Sequence, residues 1–457
     1  MAALQPRNGG LRLAQAGKVL VVGLGKTGLS CARYLTRQGA AVAVTDTRLS
    51  PPGLETLRGE LQDAALFLGG FDRASFEAAG LIVVSPGVSV QEPLIRQARA
   101  RGVPVVGDIE LFARVVRAPV AAITGSNGKS TVTTLVGEMA RIAGRRVAVG
   151  GNLGDPALDL LDPAVDLYVL ELSSFQLETT DSLRPAAAVV LNLSPDHLDR
   201  YDSLEDYAAA KARIYRNAGV AIVNLDDRSV VAMPGGERRV GFTLGEPGPA
   251  DYGVRTQAGA PWLCAGTEPV APLAEMALAG RHNLANGLAA LAMADALGLP
   301  RAAAREALLT FGGLPHRTQL VAEIDGVRYY DDSKGTNVGA TIAALEGFDD
   351  GTPARTVLIA GGDGKGQDFS ALGPVLARTA RCVVLIGRDA PLVEAALDPS
   401  VARVRAADMA DAVRLAARHA VPGDRVLLSP ACASFDMFRN YEHRGEVFAQ
   451  AVRGLGA

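Results

Sequence analysis

The residues best suited to chemistry lie in the segment ITGSNGKST at 123–131, which follows an apolar run and precedes a helical pattern. A strand that leads through a glycine-rich turn into a helix presents backbone N–H groups to an anion, and the helix N-terminus adds a favourable field. Lys129 is placed to contact terminal phosphate oxygens, and Ser130 is placed to ligate Mg²⁺. The turn lacks the first glycine of a full P-loop, because Ile123 stands there. The segment predicts ATP binding, against the alternative of an ordinary strand–helix turn.

A second glycine-rich turn lies near the start of the chain. Gly23, Gly25 and Gly28 follow a strand-like run, and Asp46 ends the next one. This is the dinucleotide fingerprint, which taken alone indicates an NAD-dependent dehydrogenase. A later apolar run ends at Pro86-Gly87, at the sheet edge where ligands bind in such folds.

Three further side chains are candidates for metal or phosphate chemistry. Glu171 ends an apolar strand, where an acid commonly meets the Mg²⁺ of a nucleotide, although a capping or surface role is the alternative. His197 follows a strand within an acidic loop and can ligate metal or orient phosphate. Lys211 lies in a helical pattern that is typical of a solvated lysine.

Polar residues in the second half of the chain form a further group. Asn283 and Asn286 share a helix face, where paired amides can read a base edge, unless Asn283 is a helix cap. Asp332 can hold a ribose hydroxyl, whereas Lys334, Thr336 and Lys365 suit phosphate or carboxylate. The loop at 429–436 also has an anion-binding composition.

Strand-like and helix-like patterns alternate along the whole chain, which predicts an α/β protein with parallel sheets. We expect three domains: a Rossmann-like domain at 1–107, a central P-loop-type domain with a parallel sheet at 108–312, and a second Rossmann-like domain at 313–457. Residues 233–272 are rich in Gly and Pro, so we expect a small irregular β patch there.

Composition excludes several classes of protein. A net charge of −3 and a pI near 6.0 give no electrostatic reason for binding nucleic acid or a membrane surface. The four cysteines form no C-x-x-C pair, which argues against zinc and disulfides and suits the cytoplasm. No signal-like N-terminus is present, and no apolar run approaches about 18 residues. The six lysines are unusually few, and Lys129, Lys334 and Lys365 all lie in polar or glycine-rich turns.

Taken together, these motifs resemble those of the Mur ligase family over essentially the whole chain, and in particular its D-glutamate-adding branch. The markers are GLGKTG at 23–28, DTR at 46–48, SPG at 85–87, GSNGKST at 125–131, GGNLG at 150–154, ELSSFQLE at 171–178, DHLDRY at 196–201, HNLAN at 282–286, LPHR at 314–317, DDSKGTN at 331–337, GGDGKG at 361–366 and LSPACASFDMF at 428–438. Gly335 stands where Ala is expected, and Lys26 stands where an apolar residue is common.

The resemblance implies an amide-forming ligase of peptidoglycan precursor synthesis, in which ATP activates the carboxylate of UDP-N-acetylmuramoyl-L-alanine as an acyl phosphate that D-glutamate attacks. It also implies that the first domain holds UDP rather than NAD. Two Mg²⁺ ions and a carbamylated Lys211 are implied. We also expect a monomer and, from the charge balance given above, no binding of nucleic acid or membrane.

The site residues that the resemblance implies fall into four groups. Catalytic roles fall to Lys129, Glu171, His197 and Lys211. Metal ligands are Ser130, Glu171, His197 and the carbamylated Lys211. ATP is held by Gly125, Ser126, Asn127, Gly128, Lys129, Ser130, Thr131, Asn283, Asn286, Arg317 and Asp332. The other substrates are held by Thr27, Asp46, Thr47, Arg48, Ser85, Gly87, Asn152, Lys334, Thr336, Lys365, Ser434, Phe435 and Tyr441.

Three other interpretations stay open at this point. An NAD-dependent oxidoreductase accounts for the first glycine turn but leaves the second turn, Lys334 and Lys365 unexplained. A ligase for another amino acid keeps the mechanism and changes the specificity. A binding protein without activity predicts loss of Lys129, Glu171 or His197, and all three are present.

Overall fold

The computed structural model describes residues 17–197, 200–276, 280–348 and 353–455. Leu198 and Asp199 of the motif at 196–201 lie outside the described residues, as does the N-terminal segment 1–16. Three β-sheets with surrounding helices form the described fold, which confirms the predicted three-domain α/β architecture. No helix within the described residues combines the length and the apolar character needed to cross a bilayer.

The first domain has a parallel five-stranded sheet in the order β3-β2-β1-β4-β5. Its strands are β1 Lys18–Val22, β2 Ala41–Asp46, β3 Ala65–Leu68, β4 Ala79–Val84 and β5 Val105–Val106. Its helices are α1 Lys26–Arg37, α2 Leu54–Glu60, α3 Arg73–Ala78 and α4 Pro93–Ala100, and helix α5 Asp108–Ala113 begins the central domain. Strand β1 reads as a continuous apolar run because both of its faces are buried. Helix α1 packs so closely that a Cβ on Gly28 would lie 1.9 Å from the Gly23 carbonyl oxygen.

The central domain has a nine-stranded sheet in the order β14-β13-β12-β11-β10-β9-β6-β8-β7. Its strands are β6 Val120–Thr124, β7 Val147–Gly151, β8 Leu167–Glu171, β9 Ala187–Val190, β10 Val220–Asn224, β11 Arg238–Phe242, β12 Tyr252–Gln257, β13 Ala260–Ala265 and β14 Glu268–Pro272. Its helices are α6 Lys129–Ile142, α7 Ser174–Leu177, α8 Leu204–Ala212, α9 Arg228–Val231, α10 Arg281–Ala296 and α11 Arg301–Thr310. Short 3₁₀ turns lie at Ala157–Leu160, Arg213–Tyr215 and Leu273–Glu275.

The predictions for this sheet need two corrections. Strands β6 to β12 form the parallel part of the sheet. Strand β13 pairs antiparallel with both β12 and β14, so the sheet is mixed. The expected irregular patch at 233–272 is instead a regular extension of the same sheet, formed by β11 to β14. Its outer strands are buried over only part of their length and are more exposed over the rest, a weaker signal than the fully buried apolar runs of the inner strands.

The third domain has a six-stranded sheet in the order β15-β16-β20-β17-β18-β19, parallel except for the β15–β16 hairpin. Its strands are β15 Gln319–Ile324, β16 Val327–Asp331, β17 Thr356–Gly361, β18 Ala380–Ile386, β19 Ala402–Arg405 and β20 Arg425–Leu428. Its helices are α12 Val338–Gly347, α13 Leu372–Thr379, α14 Ala390–Ala395, α15 Met409–His419 and α16 Tyr441–Arg453.

The hydrophobic core distinguishes the third domain from the other two. One buried cluster runs from Val19 and Leu35 of the first domain to Tyr168 and Tyr215 of the central domain. The buried clusters of the third domain contain residues of that domain alone. The first two domains are therefore joined by a shared apolar core, whereas the third carries its own.

Candidate active site

The glycine-rich turn after β6 has the backbone of an anion-binding loop. Gly125 and Gly128 adopt φ values of 151° and 84°, which disfavour other residues. A Cβ on Gly128 would lie 2.3 Å from Asn286 Oδ1, so the turn also needs glycine for space. The Asn127 backbone N–H donates to Asn192 Oδ1 at 2.8 Å, and α6 begins directly at Lys129. The predicted strand–turn–helix architecture is confirmed.

Two lysines converge on this turn. Lys129 Nζ donates to the carbonyl oxygens of Gly125 and Ser126 at 2.9 and 2.8 Å. Lys211 Nζ donates to the same Gly125 oxygen at 2.9 Å and lies 4.5 Å from the centre of the Tyr207 ring. Lys211 is 1% exposed. The interpretation of its helical pattern as that of a solvated lysine is therefore wrong. Burial, and then the nearby Lys129 charge, lower the pKa of Lys211 well below its ordinary value.

Glu171 lies at the end of β8, beside the turn, and is 3% exposed. Its Oε1 accepts a hydrogen bond of 2.6 Å from Asn152 Nδ2. Its Oε2 is buried without a hydrogen-bond partner among the described residues. A buried carboxylate oxygen with spare acceptor capacity is a hard ligand of the kind that Mg²⁺ prefers. Within the described residues no group of three His, Cys, Asp or Glu side chains is placed to hold a metal ion, so any cation site here needs other donors.

All four predicted catalytic residues line one cavity of about 280 Å³, here called the phosphate-loop cavity. The predicted residues that line it are Ser126, Asn127, Gly128, Lys129, Ser130, Asn152, Glu171, His197, Lys211, Arg317, Lys334, Thr336 and Lys365. The His197 ring packs edge-on against Phe175 at 4.8 Å between ring centres. Arg317 Nη2 donates to Ser130 Oγ at 2.7 Å, so the hydroxyl predicted as a metal ligand is bonded to a guanidinium in this state.

A second cavity of about 300 Å³, the α10 cavity, adjoins the first. Its lining includes the predicted residues Gly128, Thr131, Asn283, Asn286, Arg317, Asp332 and Lys334. Asn286 Nδ2 donates to Asn283 Oδ1 at 3.3 Å, as expected for residues on one helix face, and helix α10 is capped by Gly280 rather than by Asn283. Asp332 accepts from Ser429 Oγ at 2.7 Å, and burial raises the pKa of this carboxyl to about 7.

A third cavity of about 510 Å³, the N-terminal cavity, lies over the first sheet. Its lining includes the predicted residues Thr27, Asp46, Thr47, Arg48, Ser85, Gly87 and Asn152. Asp46 Oδ2 accepts from the Leu24 backbone N–H at 2.8 Å and from Arg48 Nη2 at 2.7 Å. Burial raises the pKa of Asp46, but the hydrogen bonds from Arg48 and from the backbone outweigh it and hold the pKa at about 2.

Asn152 and Arg317 connect the three cavities. Asn152 lines both the N-terminal and the phosphate-loop cavity, and Arg317 lines both the phosphate-loop and the α10 cavity. The three cavities therefore adjoin one another along these shared walls.

Three predicted substrate residues lie outside these cavities. Ser434 is buried and Phe435 is 71% exposed, in the loop after β20, and neither lines the three cavities. Tyr441 begins α16, and its ring packs against Lys334 Nζ at 3.9 Å. Burial, and then the neighbouring Arg317 charge, lower the pKa of Lys334 to about 8.

Four polar residues of the site carried no prediction of their own: Asn192, Asp196, Tyr207 and Asn337. Asn337 Nδ2 donates to Asn127 Oδ1 at 3.2 Å and to Asp196 Oδ2 at 3.3 Å, which links the third domain to the phosphate loop. Asn192 follows β9, and its place at the carboxyl edge of a parallel strand was a usable signal. The sequence around Tyr207 and Asn337 gave no signal of a place in the site, because the residues that they contact come from distant segments.

Profiles of one family match three consecutive parts of the chain. They are "Mur ligase MurD-like, N-terminal domain" over 17–107, "Mur ligase middle domain" over 123–294, and "Mur ligase, glutamate ligase domain" over 316–432. The chain belongs to the Mur ligase family. Mur ligases are ATP-dependent, which implies ATP and Mg²⁺ as the cofactors of this site.

The relatives of this Mur ligase are similar over almost its whole length. A protein of Nitrosococcus oceani named UDP-N-acetylmuramoylalanine--D-glutamate ligase is 56% identical, over 96% of this chain and 97% of the relative. A protein of Pseudomonas aeruginosa with the same name is 52% identical, over 95% of this chain and 98% of the relative.

Solved Mur ligase structures share the fold at low identity. A pseudomurein peptide ligase type C from Methanothermus fervidus superposes with a TM-score of 0.60 at 17% identity, covering 96% of this chain and 100% of the other. The UDP-N-acetylmuramate-alanine ligase MurC from Thermotoga maritima superposes with a TM-score of 0.60 at 19% identity. The match covers 96% of this chain and 99% of the other. These two likenesses concern the fold alone.

Proposed function

We propose that this Mur ligase joins D-glutamate to UDP-N-acetylmuramoyl-L-alanine through an amide bond, with conversion of ATP to ADP and phosphate, in peptidoglycan precursor synthesis. The names of relatives that are more than 50% identical over nearly the whole chain support the substrates. The observation that carries the proposal is the position of Asn152 between the N-terminal and phosphate-loop cavities. It lets a long nucleotide-sugar substrate present its carboxylate beside Lys129.

The reaction that fits this site proceeds through an acyl phosphate. The substrate carboxylate attacks the γ-phosphorus of ATP, and the bond between that phosphorus and the ADP oxygen breaks. The D-glutamate amine then attacks the activated carbonyl, loses a proton, and expels phosphate from the tetrahedral intermediate. Positioning and charge stabilisation supply most of the catalysis in phosphoryl transfers of this kind.

Residues of this chain take the roles that their cavities allow. Lys129 contacts the phosphates of ATP, while the α10 cavity takes adenosine between Asn283, Asn286 and Asp332. The N-terminal cavity takes the uridine diphosphate, with Thr27, Thr47, Arg48, Ser85 and Gly87 in its wall and Asp46 holding Arg48 in place. Lys334, Thr336 and Lys365 face the phosphate-loop cavity and take the carboxylates of D-glutamate, with Ser434 and Phe435 in the loop after β20 and Tyr441 at the start of α16.

The donors in the phosphate-loop cavity fit two magnesium ions. Glu171 and Ser130 would hold one ion, which requires Arg317 to leave the Ser130 hydroxyl. His197 and a carbamylated Lys211 would hold the other. When bound, Mg²⁺ neutralises charge on the transferring phosphoryl group. The unpartnered Glu171 Oε2 supports the first site.

Carbamylation of Lys211 is supported by the burial of its amine. A neutral lysine amine attacks CO₂, forms an N–C bond and releases a proton, which replaces a cation with an oxygen ligand that suits Mg²⁺. ¹³C NMR of the protein in ¹³C-bicarbonate should show one carbamate resonance that is absent from Lys211→Arg. Identical spectra from the two proteins would exclude the modification at this residue.

The test of the function is phosphate release from ATP with UDP-N-acetylmuramoyl-L-alanine. D-Glutamate, L-glutamate, L-lysine and meso-diaminopimelate are added in turn. Release that depends on D-glutamate alone is the expected result. Release with a different amino acid would keep the mechanism and change the specificity. No release, together with measurable NAD binding, would favour the oxidoreductase, although Asp46 is already engaged by Arg48 rather than open to a ribose.

The proposal also includes the domain limits, the oligomeric state and the location of the protein. We propose domain limits of 1–107, 108–312 and 313–457, and a monomer that acts on small molecules. The proposed location is the cytoplasm, which is supported by four free, buried cysteines that suit a reducing compartment.

A further inference from the structure

The loop that follows β4 is held by an arginine from another domain. Residues 85–88 of this loop line the N-terminal cavity. Arg200 of the central domain donates from Nη1 to the Pro86 carbonyl oxygen and from Nη2 to the Val88 carbonyl oxygen, both at 2.9 Å. One planar guanidinium thus binds two carbonyls of the loop, on either side of Gly87, which fixes the position of the loop as a single bond would not.

Neighbours in the central domain fix the guanidinium itself. It lies over the Phe175 ring, with Cζ 4.1 Å from the ring centre, and its Nη2 lies 3.5 Å from Glu178 Oε2. Its side chain is only 14% exposed. Stacking and an ion pair in a poorly hydrated place hold the group more firmly than either does at the surface.

The same aromatic ring faces the phosphate-loop cavity. Phe175 lines this cavity together with His197 and Glu171, and its ring centre lies 4.8 Å from that of His197. Arg200 itself lines neither this cavity nor the N-terminal one. Its guanidinium therefore connects the walls of the two cavities without being placed to contact a ligand in either.

We infer that Arg200 is a positioning residue that sets the distance between the nucleotide end and the reacting end of the substrate. The inference rests on the proposed function, because the distance between the two cavities affects only a substrate that occupies both. The shared core of the first two domains makes the distance a fixed property of the fold. Binding energy from a remote group then raises the rate by holding the carboxylate in reacting geometry.

The test compares two substrates in the full-length protein. One is UDP-N-acetylmuramoyl-L-alanine, and the other is N-acetylmuramoyl-L-alanine 1-phosphate, which lacks the uridylyl group. Arg200→Met keeps the apolar length of the side chain and removes both hydrogen bonds. We expect kcat/KM for the complete substrate to fall about 10- to 100-fold, partly in kcat, and kcat/KM for the truncated substrate to fall about threefold or less.

Two further variants separate positioning from a general loss of structure. Arg200→Lys keeps a cation but not the two parallel N–H donors of the guanidinium. The loss of kcat/KM should again be greater for the complete substrate than for the truncated one, but by a smaller ratio than in Arg200→Met. Arg213→Met is the matched control, because Arg213 donates to the carbonyls of Leu177 and Thr180 within the central domain. We expect it to change kcat/KM for both substrates by the same factor.

The outcomes distinguish this inference from the proposed function. If the unaltered protein forms no product with either substrate and D-glutamate, the proposed function fails. If it is active and Arg200→Met lowers kcat/KM equally for both substrates, or for neither, the positioning role is wrong. Thermal unfolding identifies a variant that does not fold; in that case Arg200→Lys decides the question by the same ratio of the two substrates.

Discussion

At the scale of single residues, the two oxygens of Glu171 have different surroundings. One accepts a hydrogen bond from Asn152, and the other is buried without a partner among the described residues. Leaving a buried carboxylate oxygen without a partner costs free energy. Such an oxygen is therefore expected where a bound ligand supplies the missing partner. We therefore propose that this carboxylate serves to bind a cation rather than to pack the protein.

Glu171→Gln tests this interpretation. The amide oxygen can still accept from Asn152, so the melting temperature should change little. The negative charge is lost, and we expect kcat to fall about 100- to 1000-fold, with a higher Mg²⁺ concentration at half-maximal rate. Phosphate release measured across a Mg²⁺ titration provides both values. A variant with nearly normal kcat at every Mg²⁺ concentration would contradict the role as a ligand.

Lys26 illustrates a charged residue whose contribution we expect to be small. Its Nζ donates to the carbonyl oxygen of Gly154, which lines the N-terminal cavity with Lys26, at 2.7 Å, and lies 3.1 Å from Asp155 Oδ1. Both side chains of the ion pair are about two-thirds exposed, at 64% and 66%. Water and salt screen such a pair, which is typically worth about 0–1 kcal/mol.

Lys26→Leu, which restores the apolar character expected at this position, should therefore leave kcat unchanged. We expect KM for the nucleotide-sugar substrate to change by less than about fivefold, consistent with a screened surface pair. Steady-state kinetics at low and high salt check this. A large loss of kcat would show that Lys26 takes part in the reaction.

At the scale of elements, α5 and α7 of the central domain meet through a buried hydrogen bond. Asp108 at the start of α5 accepts from Gln176 Nε2 of α7 at 2.9 Å. Gln176 also completes the capping box that begins α7. This short helix carries Phe175, so the contact helps to position the wall of the phosphate-loop cavity. Burial raises the pKa of Asp108 to about 6, although the hydrogen bond from Gln176 opposes the shift.

The raised pKa predicts how stability depends on pH. Between an unfolded pKa near 3.8 and a folded pKa of about 6, the folded state keeps a proton that the unfolded state has lost. The free energy of unfolding should therefore fall as pH rises through this window, by about 3 kcal/mol in total, and should not fall further above it for this reason.

Asp108→Asn should remove this dependence, because its oxygen can accept from Gln176 without a titrating group. Urea unfolding of both proteins at several pH values between about 4 and 8 measures the difference. Parallel curves for the two proteins across this range would show that Asp108 does not titrate there.

At the scale of the whole molecule, the third domain is attached to the other two differently from the way they are attached to each other. The first two domains share an apolar core, whereas the third contacts the phosphate loop through polar bonds. These bonds join Arg317 to Ser130, and Asn337 to Asn127 and Asp196. Polar contacts exchange with water and ligands at little net cost, so domain motion is expected at this interface.

We therefore expect the third domain to close further over bound substrates and to exclude water from the acyl phosphate. Small-angle scattering should show a smaller radius of gyration with an ATP analogue and UDP-N-acetylmuramoyl-L-alanine together than without ligands. Matching profiles in the two conditions would count against closure.

The sequence alone determined the features that depend on local order along the chain. The turn at 125–128, with its flanking strand and helix, was predictable because glycine spacing and apolar runs act over a few residues. The ends of parallel strands identified Glu171 and the loop of His197 for the same reason. Three domains followed from the alternation of strands and helices, but the partly exposed outer strands made β11 to β14 hard to predict.

Only the tertiary structure decided which side chains meet across the chain. Lys211 has the pattern of a surface lysine, yet it is buried against Gly125, which lies 86 residues away. Asn337 reaches Asn127 from a separation of 210 residues, and Arg200 reaches Pro86 from 114. Such contacts depend on how three domains pack, and no local pattern specifies that packing. Residue types and spacing therefore defined the chemistry, whereas tertiary structure decided which groups share one site.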